Sequence, residues 1–273
     1  MRFSILSKLG SILIARSGPL TDFRLDGRLI IVTGASDGLG RTFAETFAAL
    51  GAHVVLAARR RDQLEKVQSA IVSAGGRAEV VVIDLYKLAD VRMLASTIER
   101  LAGAQDKLVL LNNAGIAFTK PALEVTEADW DAVIDLHVKG TFFCSQQIGA
   151  LMLARGYGKI INLSSTWAAA TDPGKSVYCA AKAAIGQLSA ALSTEWAPRG
   201  VRVNALAPTA TMTDSTKRNM AAHPDRAERL KSRIKLGRFA EPDDMLGAAV
   251  FLASSASDFV TGQTLFVDGG FTS

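Results

Sequence analysis

Ser165, Tyr178 and Lys182 are the residues of this chain whose types and spacing most directly suggest chemistry; they lie in IINLSSTWAAA at 160–170 and VYCAAKAA at 177–184. Tyrosine and lysine four apart in an alanine-rich, helix-like segment project from one helix face. A phenol beside an ammonium is expected to titrate below its usual value near 10, because the positive charge favours phenolate. Such a phenol can give and take a proton at neutral pH. Taken alone, the pair reads more simply as a surface Tyr and Lys on an ordinary helix. Its weight comes from what accompanies it.

Upstream, RLIIVT at 28–33 is short, β-branched and apolar, as expected of a strand buried on both faces of a parallel sheet. Gly34, Gly38 and Gly40 follow, then the helical pattern RTFAETFAALGA from 41. Strand, glycine turn and helix form the setting in which backbone amides and a helix N-terminus bind pyrophosphate. The glycine spacing is G-x-x-x-G-x-G; a tight turn alone could also require it.

Further strand-like runs recur at 53–58, 79–84, 107–112, 158–164, 201–207 and 263–268, separated by amphipathic stretches that include the long 126–153. Alternating strands and helices predict a parallel sheet covered on both faces, with a crevice at the carboxyl ends of the strands. The candidate residues follow strand ends: Gly34, Arg59, Asp84, Asn113 and Ser165. No linker or composition break divides 26–273, which reads as one domain behind an N-terminal extension of 1–25.

These features together resemble the short-chain dehydrogenase/reductase family, over roughly residues 26–270. The likeness rests on TGASDGLG at 33–40, Asp84, NNAG at 112–115, Ser165, Tyr178-x-x-x-Lys182, NALAP at 204–208 and GQTLFVDGG at 262–270. It implies an α/β fold with one doubly wound, Rossmann-like sheet of seven parallel strands in three layers. It also implies reversible, NAD(P)(H)-dependent hydride transfer between a ketone and a secondary alcohol. In that scheme Tyr178 is the proton donor and acceptor, and Ser165 holds the substrate oxygen. Lys182 binds the nicotinamide ribose and lowers the tyrosine pKa. Asp84 contacts adenine, and Asn113 and Gly115 line the cofactor cleft. Ser36, Asp37, Leu39, Leu85, Thr211 and Thr213 complete the implied cofactor set.

The chain departs from the family pattern at three points. His137 stands where the family has an asparagine that positions a relay water; the imidazole either continues the relay or marks weakened catalysis. Thr209 replaces a glycine, and Thr211 a branched apolar residue. These departures motivate an alternative reading, a dinucleotide-binding sensor or scaffold with weakened turnover.

At the end of the second strand Ala58 stands where NAD-preferring relatives tend to carry Asp, and Arg59 can bond a phosphate. Arg60 and Arg61 read as the start of a solvent-facing helix. Asp37 opposes that inference, since a basic residue often precedes the second glycine. NADP(H) is favoured over NAD(H), and dual use stays open. Phe118, Trp167 and Met212 are candidates for a substrate wall, with ordinary packing as the competing role. The stretches 24–36 and 118–135 are similar to members acting on sugar acids or 3-oxoacyl groups, which gives the expected small-molecule carbonyl or alcohol substrate.

The 273 residues carry 31 Lys and Arg against 26 Asp and Glu, for a net charge of +5. The basic residues are spread out and lack a recognition motif, which argues against nucleic acid. One basic cluster, 217–238, falls where the family carries its mobile lid; it reads as a solvated helical face or as a patch for an anionic substrate. Two cysteines, Cys144 and Cys179, and three histidines show no metal-binding spacing. Cys179 reads as a small core residue. A cytoplasmic location is expected. Residues 1–21 hold Arg2, Lys8 and Arg16, no acid but Asp beyond them at 22, and an apolar run too short to span a bilayer. An organellar address, membrane contact or subunit contact through this segment is the alternative. A homotetramer or homodimer, built through long helices near 126–154 and 177–197, is implied by the family; Phe142, Phe143 and Leu192 suit that surface or the core.

Overall fold

The computed structural model describes residues 23–273. The N-terminal segment 1–21, with its expected address or contact role, therefore lies outside the described residues. Leu25, which the sequence assigns to the extension, is fully buried and its amide donates to the Leu50 carbonyl at 2.8 Å.

Seven strands form one parallel sheet: β1 (Arg28–Thr33), β2 (His53–Ala58), β3 (Arg77–Val82), β4 (Lys107–Asn112), β5 (Gly158–Leu163), β6 (Val201–Pro208) and β7 (Thr264–Val267). Their order is β3-β2-β1-β4-β5-β6-β7. The order reverses direction between β1 and β4, which opens a crevice beyond the carboxyl ends of those two strands. The expectation of a doubly wound sheet is met.

Strand side chains alternate between two cores, as the period of two requires. Ile30, Val32, Val54 and Leu56 join one cluster with Phe43 and Phe47. Leu29, Ile31, Val55 and Leu110 join the other with Leu94, Ile98 and Ile148. Helices α1 (Gly38–Ala49), α2 (Arg61–Ser73) and α9 (Leu246–Ala253) cover the first face. The second face carries α3 (Leu88–Leu101), α5 (Thr141–Arg155) and α6 (Ser176–Trp196). Leu192 is 4% exposed within this second core, while Phe142 and Phe143 pack partly buried at its edge. Three short helices, α4 (Glu127–Ile134), α7 (Asp214–Ala222) and α8 (Pro224–Ser232), frame the open end.

One element differs from its sequence expectation. The amphipathic stretch 126–153 is not one α-helix: Asp135–Gly140 forms a π-helical segment between α4 and α5. Thr126 starts α4 with a capping box to Asp129, and Gly156 at φ 68° ends α5. Wide turns of this kind are often found at functional sites. This one carries His137.

Candidate active site

The glycine turn leaves β1 through Gly34, at φ 68°. A Cβ on Gly40 would lie 2.3 Å from the Gly34 carbonyl oxygen and 2.4 Å from Asn113 Nδ2, so the turn closes only with glycine there. Asp37 caps α1, its carboxylate accepting from the Gly38 amide at 2.7 Å. Among the described residues no acceptor meets the Leu39 and Gly40 amides, while the Leu39 side chain packs against the first core. Two free amides at a helix N-terminus suit a phosphate. Asn113 braces the turn, its side-chain amide donating to the Thr33 and Gly34 carbonyls at 2.9 and 3.3 Å. A groove runs from this turn past Ser36, Ala58, Arg59, Asp84 and Leu85 to Gly115. These residues, together with the free amides, fit a dinucleotide.

The two arginines after β2 take separate roles. Arg59 is exposed and lines the groove. Arg60 stands at the start of α2, exposed as expected, and its side chain also reaches back over the glycine turn. Its Nη2 donates to Ser36 Oγ at 3.1 Å and stands 3.7 Å from the Asp37 carboxylate. Asp37 is therefore not a lone negative charge at the mouth of the groove.

Beyond β5, Ser165 is 8% exposed; its hydroxyl accepts from the Trp167 amide at 3.3 Å, reaches the Pro208 carbonyl at 3.5 Å and bears on the Tyr178 phenol. Lys182 is buried, its ammonium donating to the Leu163 carbonyl at 2.7 Å and standing 5.6 Å from the Tyr178 ring centre. The expected depression of the tyrosine pKa is corrected here. Burial pushes Tyr178 up to about 12, and the Ser165 hydrogen bond offsets this only in part. Burial also pushes Lys182 down to about 7. Loss of water disfavours the charged form of each group. In this state Tyr178 is a neutral phenol, able to donate a proton.

His137 is 2% exposed and edge-on to Tyr178, with ring centres 5.4 Å apart. Burial, with help from the Lys182 charge, lowers its pKa to about 3. Its Nε2 lies 3.1 Å from the Ile116 amide and 3.0 Å from the Ile116 carbonyl oxygen. One nitrogen serves one of these at a time, according to the tautomer. The relay expectation is thereby narrowed: the ring is a neutral brace tying the π-helical segment to the 116 loop. Gly115 leaves room for it, since a Cβ there would sit 2.4 Å from His137 Cε1.

Past β6, Thr211 is 5% exposed and its hydroxyl donates to the Thr209 carbonyl at 3.0 Å, so that hydroxyl is engaged within the loop. Thr213 caps α7 and places its methyl 3.5 Å from a Cβ built on Gly38, which brings the 209–213 loop over the glycine turn. The Met212 amide donates to Ala240 at 2.8 Å. The other two substrate candidates are packed side chains. Trp167 meets Phe271 edge-on at 5.5 Å beside Leu230 and Ile234, and Phe118 packs on Val133, Val177 and Ala181. The basic cluster is partly tied down. Arg229 and Arg226 pair with Asp172, whose side chain is 1% exposed, and Arg233 stands over Trp167 and Phe271. Cys179, expected in the core, is only partly buried and faces the Ala170 carbonyl at 3.6 Å.

Sequence reasoning missed Arg60, Asp172 and Lys175. Each acts through the reach of a side chain across segments distant in sequence, and no motif marks such a reach. Among the described residues there is no cluster of three potential metal ligands and no helix long and apolar enough to cross a membrane.

Comparison with known proteins places this geometry among relatives. The profile of the enoyl-(acyl carrier protein) reductase family matches residues 34–272. The gluconate 5-dehydrogenase of Gluconobacter oxydans is 38% identical over 250 residues, covering 92% of this chain and 96% of that protein. An NAD-dependent glycerol dehydrogenase of Listeria innocua is 35% identical over 251 residues, covering 92% and 96%. A gluconate 5-dehydrogenase from Burkholderia cenocepacia, solved with NADP and tartrate, superposes with a TM-score of 0.87 at 37% identity, covering 93% of this chain and 98% of that one.

Proposed function

The chain belongs to the short-chain dehydrogenase/reductase family, and we propose that it interconverts a secondary alcohol and a ketone on a polyhydroxylated substrate of the sugar-acid type. Residues 26–273 are the catalytic domain in this reading. The observation that carries it is the meeting of Ser165, Tyr178 and Lys182 beyond β5, beside the groove that starts at the glycine turn. A sugar-acid substrate draws support from the gluconate 5-dehydrogenases among the relatives, one of them solved with a hydroxy-dicarboxylate bound; a 3-oxoacyl group is the second candidate.

When bound, the nicotinamide cofactor accepts or supplies the hydride. The chain's residues do the rest. The Leu39 and Gly40 amides and the α1 N-terminus receive the phosphates. Ser165 donates to the substrate oxygen where negative charge develops. Tyr178 Oη protonates that oxygen during reduction and takes its proton during oxidation. The Lys182 ammonium favours the phenolate that oxidation requires. His137 holds the wall behind Tyr178. With His137 and Thr209 both accommodated by internal hydrogen bonds, no observation favours the sensor reading.

NADP(H) is the favoured cofactor. Ala58 offers no carboxylate to a ribose hydroxyl, and Arg59 and Arg60 frame the end of the groove where a 2′-phosphate would lie. Exposed Leu123, just before α4, and Trp130 within it support assembly as a homo-oligomer. Two free cysteines suit the reducing cytoplasm. The test is fluorescence titration with NADPH and NADH, followed by turnover across sugar acids, polyols and a 3-oxoacyl thioester. NADPH preference with turnover of a sugar acid supports the reading; tight binding with no turnover of any compound refutes it.

A further inference from the structure

Lys175 stands directly before α6, three residues ahead of Tyr178, and is 7% exposed. Its ammonium donates to the Phe118 carbonyl at 2.6 Å and lies 5.2 Å from the centre of the Tyr178 ring. An ammonium has three donors, and this bond uses one. Among the described residues no carboxylate comes within 4.0 Å of it. The acid that acts on it electrostatically, Asp172, is already taken by Arg229 and Arg226. Lys175, Arg226 and Arg229 against Asp172 thus leave an excess of two positive charges beside the proton-transfer group.

A buried cation without a counter-ion is costly. The cost is visible here: burial, reinforced by Arg226, pushes the Lys175 pKa down to about 8. Joining the 116–120 loop to α6 would need only a neutral donor. Within the folded chain the charge meets only the Tyr178 ring and a carboxylate already paired with two arginines.

The geometry points to Lys175 as the residue that receives a carboxylate of the substrate, with Arg226 adding to the local positive potential. The reacting compound is then an anionic hydroxy or oxo acid and not a neutral polyol. The carboxylate is bound and undergoes no bond change; the hydroxyl at Ser165 and Tyr178 is the one oxidised. This assignment rests on the oxidoreductase reading above and deepens it by naming the charge of the substrate.

The test measures binding by calorimetry to the full chain loaded with NADP⁺. The probes are a four-carbon and a six-carbon polyhydroxy acid, each beside its alditol. The proteins are wild type, Lys175→Gln, which keeps a donor for the Phe118 carbonyl, and Lys175→Arg. Expected is acid binding at least ~10-fold tighter than alditol binding in wild type, weakened by about 10- to 100-fold in Lys175→Gln and largely recovered in Lys175→Arg, as for a buried charge pair with one partner removed. Alditol binding changes by less than about 2-fold, and added salt weakens only the acids. Equal affinity of wild type for acid and alditol overturns the assignment, as does an equal or absent effect of Lys175→Gln on both. Failure of the underlying reading looks different: the charge discrimination persists while no compound is turned over. Turnover of an alditol without acid binding leaves the oxidoreductase reading standing and removes Lys175 from substrate recognition.

Discussion

Gly115→Ala tests whether His137 is held as tightly as its contacts imply. The added methyl would lie 2.4, 3.1 and 3.3 Å from three atoms of the imidazole. Carbon atoms in ordinary contact stand about 3.5–4.0 Å apart, so the ring must move by roughly 1 Å. It is boxed in by the Ile116 backbone on Nε2 and by the Tyr178 ring, nearly perpendicular to it. Moving it breaks one hydrogen bond, about 0.5–1.5 kcal/mol, and repacks the wall behind Tyr178. The expected destabilisation is about 1–3 kcal/mol, in the range of overpacked cores. His137→Ala alone is also destabilising, because it leaves a void and an unpaired Ile116 amide. In the double variant the alanine methyl enters the emptied space, so Gly115→Ala then costs under about 0.5 kcal/mol. The coupling between the sites is therefore about 1–3 kcal/mol, read from a double-mutant cycle of urea unfolding midpoints on the cofactor-free protein. Additive effects, or a single Gly115→Ala variant as stable as wild type, would refute the claim that the glycine exists to admit the ring.

Three further outcomes are expected. Tyr178→Phe lowers kcat by about 10²- to 10⁴-fold with cofactor affinity retained, as measured by steady-state kinetics and fluorescence titration; unchanged kcat removes Tyr178 from proton transfer. Arg60→Ala weakens NADPH by about 10-fold and NADH by less than 2-fold, because a charge-assisted contact to phosphate is lost only in the former; equal losses would tie Arg60 to the turn's stability instead. His137 has a folded pKa near 3 against an unfolded value near 6.5. Its neutral burial favours the fold above pH 6.5, and that contribution is lost as the pH falls from 6.5 towards 3. Unfolding free energy should drop by about 2 kcal/mol between pH 7 and pH 5 through this group alone, a slope that His137→Asn removes.

The sheet and its strand ends were legible because continuous apolar runs separated by amphipathic stretches leave few alternatives, as RLIIVT before Gly34 shows. Gly34 and Gly40 could be located because a tight turn restricts residue type at the backbone itself. Four features were hidden for distinct physical reasons. The tyrosine pKa depends on a contest between burial and charge, and spacing reveals the charge but not the burial. Arg60 does start a helix, but its contact to Ser36 was hidden because side-chain reach is set in three dimensions; Ser36 lies 24 residues away in sequence. Lys175 and Asp172 belong to no motif, and an isolated lysine in a chain with 31 basic residues carries no signal until its burial is known. The π-helical segment was invisible because residues spaced by three and four fit an α-helix equally well.

That segment has a consequence for how the chain tolerates insertions and deletions. Buried positions Val133, His137, Thr141, Ser145 and Gly149 recur every four residues across α4, the wide turn and α5. In an uninterrupted α-helix four residues overshoot a full turn by about 40°, so such a stripe would wind away from the sheet. The wider turn at 135–140 takes up part of that drift. Losing a single residue there would rotate α5 by about 100° and carry Ile148 and Met152 off the core they fill. Here the number of residues is constrained as strictly as their kind, and length variation among related chains should be absent from 135–140 even where the side chains differ.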